Sequence, residues 1–207
     1  MEKQRIQFTG WYSGIGLELT KTRLFSLTIL IVILSIAVVT GKTLETDDVP
    51  LASRTSPRPE TTAYIPHVQI GVERVPKVNT ELFRRVYSIF GIENRPSIIS
   101  LPGALGLWLS EELSLEHPEV IVAGREFAHI HPDGSLHISL PPARALEAVE
   151  TGWAIQHPFA SQRKGWEGFV MLYTPQSMKE LDVTFQLIID GYNYVTGKNL
   201  KATDYYE

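Results

Sequence analysis

The sequence predicts an α+β fold in which an antiparallel sheet of short strands packs against helices. Apolar residues recur at helical spacing in three separate segments, and short runs typical of strands lie between these segments. A tight turn joins two of the runs, which makes them neighbours in one sheet. After an initial helix the order is β-β-α-β-β-α. Neighbouring antiparallel strands with helices on one face are typical of an α+β sandwich.

Composition sets the limits on function. The chain of 207 residues is long enough for one domain with appendages, and its content of 43% hydrophobic and 20% charged residues is typical of a globular protein. The net charge of −4, without any basic run, excludes nucleic acid as an expected partner. Since the chain has no cysteine, disulfides, zinc–thiolate sites and thiol nucleophiles are excluded as well. Nothing in the sequence indicates a protein partner.

An uncharged apolar run begins at Leu24 and ends at Thr40, after a tail formed by residues 1–23. A helix of this length spans roughly 25 Å, at the short end for crossing a bilayer. We predict a single-pass membrane anchor rather than a cleaved signal peptide, because the tail is long and no small-x-small cleavage site follows the run. Lys21 and Arg23 precede the run, so the folded domain is expected on the side of the membrane opposite the N-terminus.

Residues 41–63 are rich in Ser, Thr and Pro and poor in apolar residues. Such a segment cannot bury enough apolar surface to offset the entropy lost on ordering. It is therefore predicted to be a flexible stalk, and the folded domain is expected to occupy residues 64–207.

Three helices are predicted in this domain. They run from Asn79 or Thr80 to Gly91, from Pro142 to Gly152, and from Ser177 to Gly197. Proline suits the first turn of the second helix, and Ser177 with Glu180 forms a capping box at the start of the third. Residues 105–113 are predicted to form a further short helix, after a strand or turn near residues 96–102. Brief strands are predicted at residues 120–123, 153–157 and 168–173.

The sequence REFAHIHPDGSLHISL, residues 125–140, predicts a β-hairpin with histidines on one face. A three-residue loop at Pro132-Asp133-Gly134 places His129 opposite His137, with His131 one diagonal step away. Because side chains alternate along a strand, these three histidines share a face with Phe127. The opposite face is apolar and belongs against the core, and Glu126 is predicted on that core side.

Three interpretations of the histidine face remain open from the residues alone. It is a solvated face of an edge hairpin, a metal site of three imidazoles, or the wall of a substrate pocket. A metal site would take His157 or a carboxylate as a further ligand. In a pocket wall, the imidazoles would act as bases or hydrogen-bond donors. No nucleophile elbow, phosphate loop, dinucleotide fingerprint or metalloprotease motif is present.

Several separated blocks resemble the luciferase domain of the fungal bioluminescence system. The blocks are REFAHIH, LHISL, GWAIQHP, FVMLYTP and a closing helix that ends in GY, and they extend over residues 97–197, about half of the chain. The fungal enzymes also resemble this chain in having an apolar anchor near the N-terminus. The β-β-α-β-β-α order is in addition similar to small bacterial α+β binding modules, an analogy at the level of the fold.

The luciferase resemblance implies an oxygenase that adds O₂ to a planar hydroxylated aromatic or pyrone. It implies O₂ as co-substrate and no metal or organic cofactor, so that a histidine-bound metal is disfavoured. A base must deprotonate the substrate, a donor must stabilise the developing anion, and a water-poor cavity must protect the intermediate. The alternative function is a non-catalytic domain that binds a small molecule or a partner and is displayed on a membrane stalk.

Site roles follow from the same resemblance. His129 or His137 is assigned as base, and His131, His157 and Arg125 are assigned as donors to the substrate anion. The residues assigned to substrate binding are aromatic: Phe127, Trp153, Trp166 and Tyr173.

Overall fold

A computed structural model of the protein describes residues 50–206, and its centre is a six-stranded antiparallel sheet. The strands are β1 (Glu60–Thr61), β2 (Gln69–Ile70), β3 (Ile92–Pro96), β4 (Leu105–Leu109), β5 (Glu126–Ile130), β6 (Leu136–Ser139), β7 (Ala154–Gln156) and β8 (Phe169–Leu172). The helices are α1 (Pro76–Ser88), α2 (Pro142–Glu150) and α3 (Met178–Thr196), with 3₁₀ turns at Pro118–Val120 and Ala202–Tyr205. The main sheet has the order β3-β4-β5-β6-β8-β7, and β1 pairs with β2 separately.

The predicted α+β class and the three helices are confirmed, but α1 begins at Pro76, so the predicted cap at Asn79 or Thr80 is wrong and both residues lie inside the helix. Proline in the first turn explains the earlier start, because a proline there loses no helical hydrogen bond.

Local sequence also explains where α2 and α3 begin and end. Proline occupies the first turn of α2, and Gly152 beyond its end has a φ of +87°. The Ser177 side chain accepts a hydrogen bond from the Glu180 backbone N–H and so caps α3. Gly197 ends that helix in the left-handed conformation, with a φ of +68°, which a glycine adopts without strain.

Residues 105–113 do not form the predicted helix. Leu105–Leu109 is instead the strand β4, which pairs with β3 on one side and with β5 on the other. The alternating burial of Leu107 and Leu109 against the core explains this result, because a strand places both on one face. Residues 120–123 also differ from the prediction. Val120 ends a 3₁₀ turn, and Ala123 contributes a single bridge to Glu126.

Part of the predicted stalk packs on the domain. The Leu51 N–H donates to the Glu147 carboxylate at 2.7 Å, and the Ala52 carbonyl accepts from the Trp153 indole at 2.7 Å. Arg54 forms an ion pair with Glu180. The folded unit therefore begins upstream of residue 64, because these polar contacts order a segment that has few apolar residues of its own.

The predicted tail, residues 1–23, and the predicted anchor, residues 24–40, lie outside the described residues. Among residues 50–206, no helix combines the length and the hydropathy that a bilayer crossing requires.

The apolar face of the hairpin packs against α3. Five residues form this face, all with less than 5% of their surface exposed: Ala128, Ile130, Leu136, Ile138 and Leu140. At Gly191 of α3 an added Cβ would lie 2.9 Å from the Ser139 carbonyl oxygen, so only a glycine allows the helix to approach β6 so closely. The other face of the hairpin is thereby left for the histidines.

A β-bulge at Phe127 changes the predicted alternation at the start of β5. Leu107 pairs with Ala128, whereas Trp108 pairs with Glu126, so that Phe127 is the extra residue. The bulge directs Phe127 into the hydrophobic core, where its ring contacts that of Tyr192 edge to face. The prediction that Phe127 lies on the histidine face is therefore wrong.

We predict that Phe127→Ala lowers the free energy of unfolding by about 3–5 kcal/mol, because it opens a cavity in the core. Phe159→Ala is the matched control. This phenylalanine is only half buried, and its loss should cost much less. Chemical denaturation of the full chain in detergent measures both changes. Equal losses for the two variants would contradict the core placement of Phe127.

Candidate functional site

The hairpin register predicted from its turn is confirmed. His129 pairs with His137, and the His131 N–H donates to the Ser135 carbonyl at 2.8 Å. Gly134 supplies the left-handed residue of the turn, with a φ of +89°. His129, His131 and His137 are only 3–4% exposed, so the interpretation as a solvated edge is wrong.

Two further histidines complete the cluster. His157 follows β7, and its ring centroid lies 4.5 Å from that of His137. His67 precedes β2 and stacks on His137, with the His67 Nδ1 3.2 Å from the His137 Nε2. We call these five side chains the histidine cluster: His67, His129, His131, His137 and His157.

Gln69 holds the segment of His67 in place. Its side-chain amide donates to the Thr174 hydroxyl at 2.5 Å and accepts from the Thr174 backbone N–H at 3.2 Å. Because Thr174 lies two residues after the end of β8, these two hydrogen bonds connect β2 to the main sheet. The segment that contains β2 thus covers part of the histidine face, where His67 stacks on His137.

The histidine cluster lines a cavity of about 370 Å³. Most of the remaining lining is apolar and comes from loops on this side of the sheet and from the start of β8: Ile65, Pro66, Ile99, Leu101, Val122, Phe159 and Phe169. The cavity therefore has one wall of imidazole nitrogens and another of hydrocarbon. This composition is typical of sites for small organic molecules.

Glu126 lies at the base of the cluster, contrary to the prediction that places it on the core side. Its carboxylate is 3.0 Å from the His129 Nδ1 and accepts hydrogen bonds from the Ser97 hydroxyl and the Ile98 N–H. The bulge at Phe127 is the reason, since it shifts the side chain of Glu126 relative to regular alternation. Burial raises the pKa of Glu126, but the hydrogen bonds from His129, Ser97 and Ile98 outweigh it, and the pKa is lowered overall.

The Glu126 carboxylate determines which nitrogen donates and which accepts in each hydrogen bond of this chain. Because an ionised carboxylate only accepts, His129 Nδ1 carries a proton, and its Nε2 accepts from His137 Nδ1 at 2.9 Å. His137 Nε2 then accepts from His67 Nδ1. The result is a chain from His67 through His137 and His129 to Glu126, in which each imidazole carries a proton on Nδ1.

His131 and His157 have their tautomers set by other partners. The Asp133 carboxylate accepts from the Ser135 hydroxyl at 2.8 Å, so the Ser135 oxygen accepts from His131 Nδ1 at 2.9 Å and His131 Nε2 is an acceptor. His157 has the reverse arrangement. Its Nδ1 accepts from the Phe159 backbone N–H at 3.0 Å, which leaves the proton on Nε2 as a donor.

Burial keeps four imidazoles of the cluster uncharged at neutral pH: His67, His131, His137 and His157. It lowers the pKa of His67, and it lowers the pKa values of His131 and His157 to about 3, with repulsion between neighbouring imidazoles adding to the shift. The pKa of His137 is held well below its usual value for the same reasons. Neutral imidazoles are proton acceptors and metal ligands.

Arg125 does not reach the cavity. Its guanidinium donates to the backbone carbonyls of Leu109, Ser110 and Leu113 at 2.6–2.9 Å. These contacts hold the loop after β4 in place. Arg125 is therefore a structural residue of this loop and is not placed to donate to a bound substrate.

The predicted aromatic wall is also elsewhere. Arg54 stacks over the rings of Trp153 and Tyr173, at 6.0 and 5.6 Å from their centroids, and Arg163 covers Trp166 at 5.2 Å. None of these three aromatic residues lines the cavity, and neither does Phe127. Phe159 and Phe169 form the aromatic part of the cavity wall instead.

The sequence alone did not indicate His67, Phe159 or Phe169 as site residues, and it placed Glu126 on the wrong face. His67 is almost 60 residues upstream of the hairpin, and no spacing rule connects the two. Phe159 follows the His-Pro pair directly and could have been found by its proximity to His157. Glu126 was noticed but misplaced, because strict alternation does not include a bulge.

A family model described as the Luciferase domain matches residues 124–189. The resemblance seen in the sequence is thus confirmed for this segment. It covers about a third of the chain and contains Glu126, four of the clustered histidines, Phe159 and Phe169, whereas His67 lies outside it. Neither a curated protein nor a solved structure gave a match to this chain.

The buried histidines predict a loss of stability in mild acid. Their pKa values are lower in the folded chain than in the unfolded chain, so below pH 6.5 the unfolded chain binds more protons and the stability falls with pH. Each such histidine contributes a slope of about 1.4 kcal/mol per pH unit once the unfolded chain is protonated. Denaturation between pH 8 and pH 5 measures this slope, above the range where carboxylates titrate.

His117→Ala is the control for this measurement, because this histidine is partly exposed and stacks on Tyr194 outside the cluster. The variant should keep the slope, whereas His157→Gln should reduce it. A free energy of unfolding that stays constant from pH 8 to pH 5 would contradict the burial of neutral imidazoles.

Proposed function

We propose that this protein is a luciferase-like oxygenase that binds a small, planar, hydroxylated aromatic or pyrone and combines it with O₂. The observation that carries the proposal is the cavity, in which a wall of buried imidazoles anchored on Glu126 faces an apolar wall. The match of residues 124–189 to the Luciferase domain supports the reaction class.

The two walls suit the two parts of such a substrate. The ring packs against Phe159, Phe169 and the aliphatic side chains, which also provide a water-poor space for O₂. The acidic hydroxyl faces the imidazoles, where it donates a hydrogen bond to an unprotonated nitrogen. In the reverse orientation the hydroxyl would face hydrocarbon and lose its hydrogen-bond partner.

The chain of hydrogen bonds accounts for deprotonation. The substrate proton passes to the His67 Nε2, and the positive charge on the chain is stabilised by the Glu126 carboxylate at its other end. His157 donates from Nε2 and stabilises the negative charge on the substrate oxygen. The electron-rich ring carbon then bonds to O₂ to give a peroxide, with both electrons supplied by the ring, so no external reductant is required.

The test measures O₂ uptake by the full chain in detergent with a hydroxypyrone as substrate. Glu126→Gln should lower the rate about 10²-fold, because the amide no longer compensates the positive charge on the histidine chain. The matched control is Glu119→Gln. Glu119 makes the same 3.0 Å contact to a histidine, His117, but on the surface, and its loss should leave the rate unchanged.

Two results would count against the proposal. If the folded protein takes up no O₂ above the buffer rate, the enzymatic function is contradicted. If the hydroxypyrone still binds in that case, the alternative of a non-catalytic binding domain is favoured. Equal rates for the two glutamine variants would remove Glu126 from the mechanism.

We further propose that the apolar run at residues 24–40 anchors the chain in a membrane, with the domain on the side opposite the N-terminus. The support is the sequence of the run itself. The full chain should stay with the membrane fraction after an alkaline wash, and a variant with Ile31→Arg and Ile33→Arg should be released. Release of the unaltered chain would contradict the anchor.

A further inference from the structure

We infer that His129, His131 and His137 form a binding site for one divalent first-row transition-metal ion. The inference deepens the proposed function, since it adds an ion to the same cavity, but metal binding can be measured without substrate or O₂. The three residues each offer one nitrogen, and these nitrogens all lie within 4.8 Å of one another. Each residue is at most 4% exposed, so the site is buried and preformed.

The partners of two of the three imidazoles are those that metal ligands require. A ligating histidine donates its second ring N–H to a carboxylate or a comparable acceptor, which fixes the tautomer and directs the free nitrogen at the ion. His129 donates from Nδ1 to Glu126, and His131 donates from Nδ1 to Ser135, which is bonded in turn to Asp133. Both therefore present an unprotonated Nε2.

His137 completes the set. Its Nδ1 is 2.9 Å from the His129 Nε2, a distance that a shared proton produces and that two neighbouring ligands of one ion also have. When an ion replaces that proton, His137 carries its hydrogen on Nε2 and donates it to the His67 Nδ1 at 3.2 Å. His67 is then the partner that orients the third ligand.

Charge favours this trio over the other arrangement of the cluster. His67, His137 and His157 also bring three nitrogens together. However, His157 Nδ1 already accepts from the Phe159 N–H, so its Nε2 carries the proton and has no free lone pair. That trio has no carboxylate partner either. The trio of His129, His131 and His137 has Glu126 and, through Ser135, Asp133, which together offset the charge of a divalent ion.

Three imidazoles leave coordination positions open toward the cavity, which is the pattern of catalytic rather than structural metal sites. Neutral nitrogen ligands suit the borderline ions of the first transition row. With an ion bound, its positive charge would stabilise the deprotonated oxygen of the substrate, a role that His157 has in the ion-free protein.

The experiment titrates the metal-free full chain in detergent with Co²⁺ and records the visible absorption of the ion. One equivalent of Co²⁺ should bind. Excess Co²⁺ should also raise the melting temperature of the unaltered chain, a measurement that requires no variant. His129→Gln and His131→Gln should abolish the absorption, and Glu126→Gln should weaken binding about 10–100-fold. His157→Gln should bind normally, and so should His117→Gln, the control outside the cluster.

Absence of binding by the folded chain at millimolar Co²⁺ would overturn the inference. Loss of binding in His157→Gln with retention in His131→Gln would overturn it too, since the ion would then lie in the other trio. O₂ uptake that survives chelation, in a chain that binds no Co²⁺, refutes the metal site and leaves the proposed function intact. If the chain binds Co²⁺ but the metal-loaded chain takes up no O₂, the metal site is supported and the proposed function is refuted.

Discussion

The hydrogen bond between Glu126 and His129 is the constraint on which the site depends. A buried carboxylate without partners would cost several kcal/mol, and here His129, Ser97 and Ile98 supply them. In return the carboxylate determines which nitrogen of His129 is protonated. That choice propagates to His137 and His67, so a single acidic side chain orders three imidazoles.

The fold places this carboxylate through an irregularity of the sheet. Regular alternation would direct Glu126 into the apolar core and Phe127 into the cavity. The extra residue at Phe127 exchanges these positions. Phe127 therefore packs in the core, and the Glu126 carboxylate reaches His129. Bulges are common beside functional sites because they redirect one side chain without altering the rest of the ladder. The close packing of α3 on β6 at Gly191 supports the other face of the same hairpin.

Sequence patterns predicted the parts of the structure that are governed by local rules. The Pro-Asp-Gly turn determined the pairing of His129 with His137, and the capping box determined the start of α3. Patterns did not predict what depends on distant contacts. Leu105–Leu109 has the composition of a short helix but becomes a strand because it completes hydrogen bonds on two sides. His67 joins the site only through the docking of β2 by Gln69 and Thr174. Trp153 and Tyr173 were plausible pocket residues by type, yet cover Arg54 instead.

The tautomers of the clustered imidazoles test the central claim most directly. Nitrogen-15 NMR of the histidine side chains in the metal-free protein at neutral pH distinguishes a protonated Nδ1 from a protonated Nε2. His129 and His131 should carry the proton on Nδ1, and His157 should carry it on Nε2. If His129 instead carries its proton on Nε2 alone, Glu126 does not order the cluster, and the chain of hydrogen bonds described here is wrong.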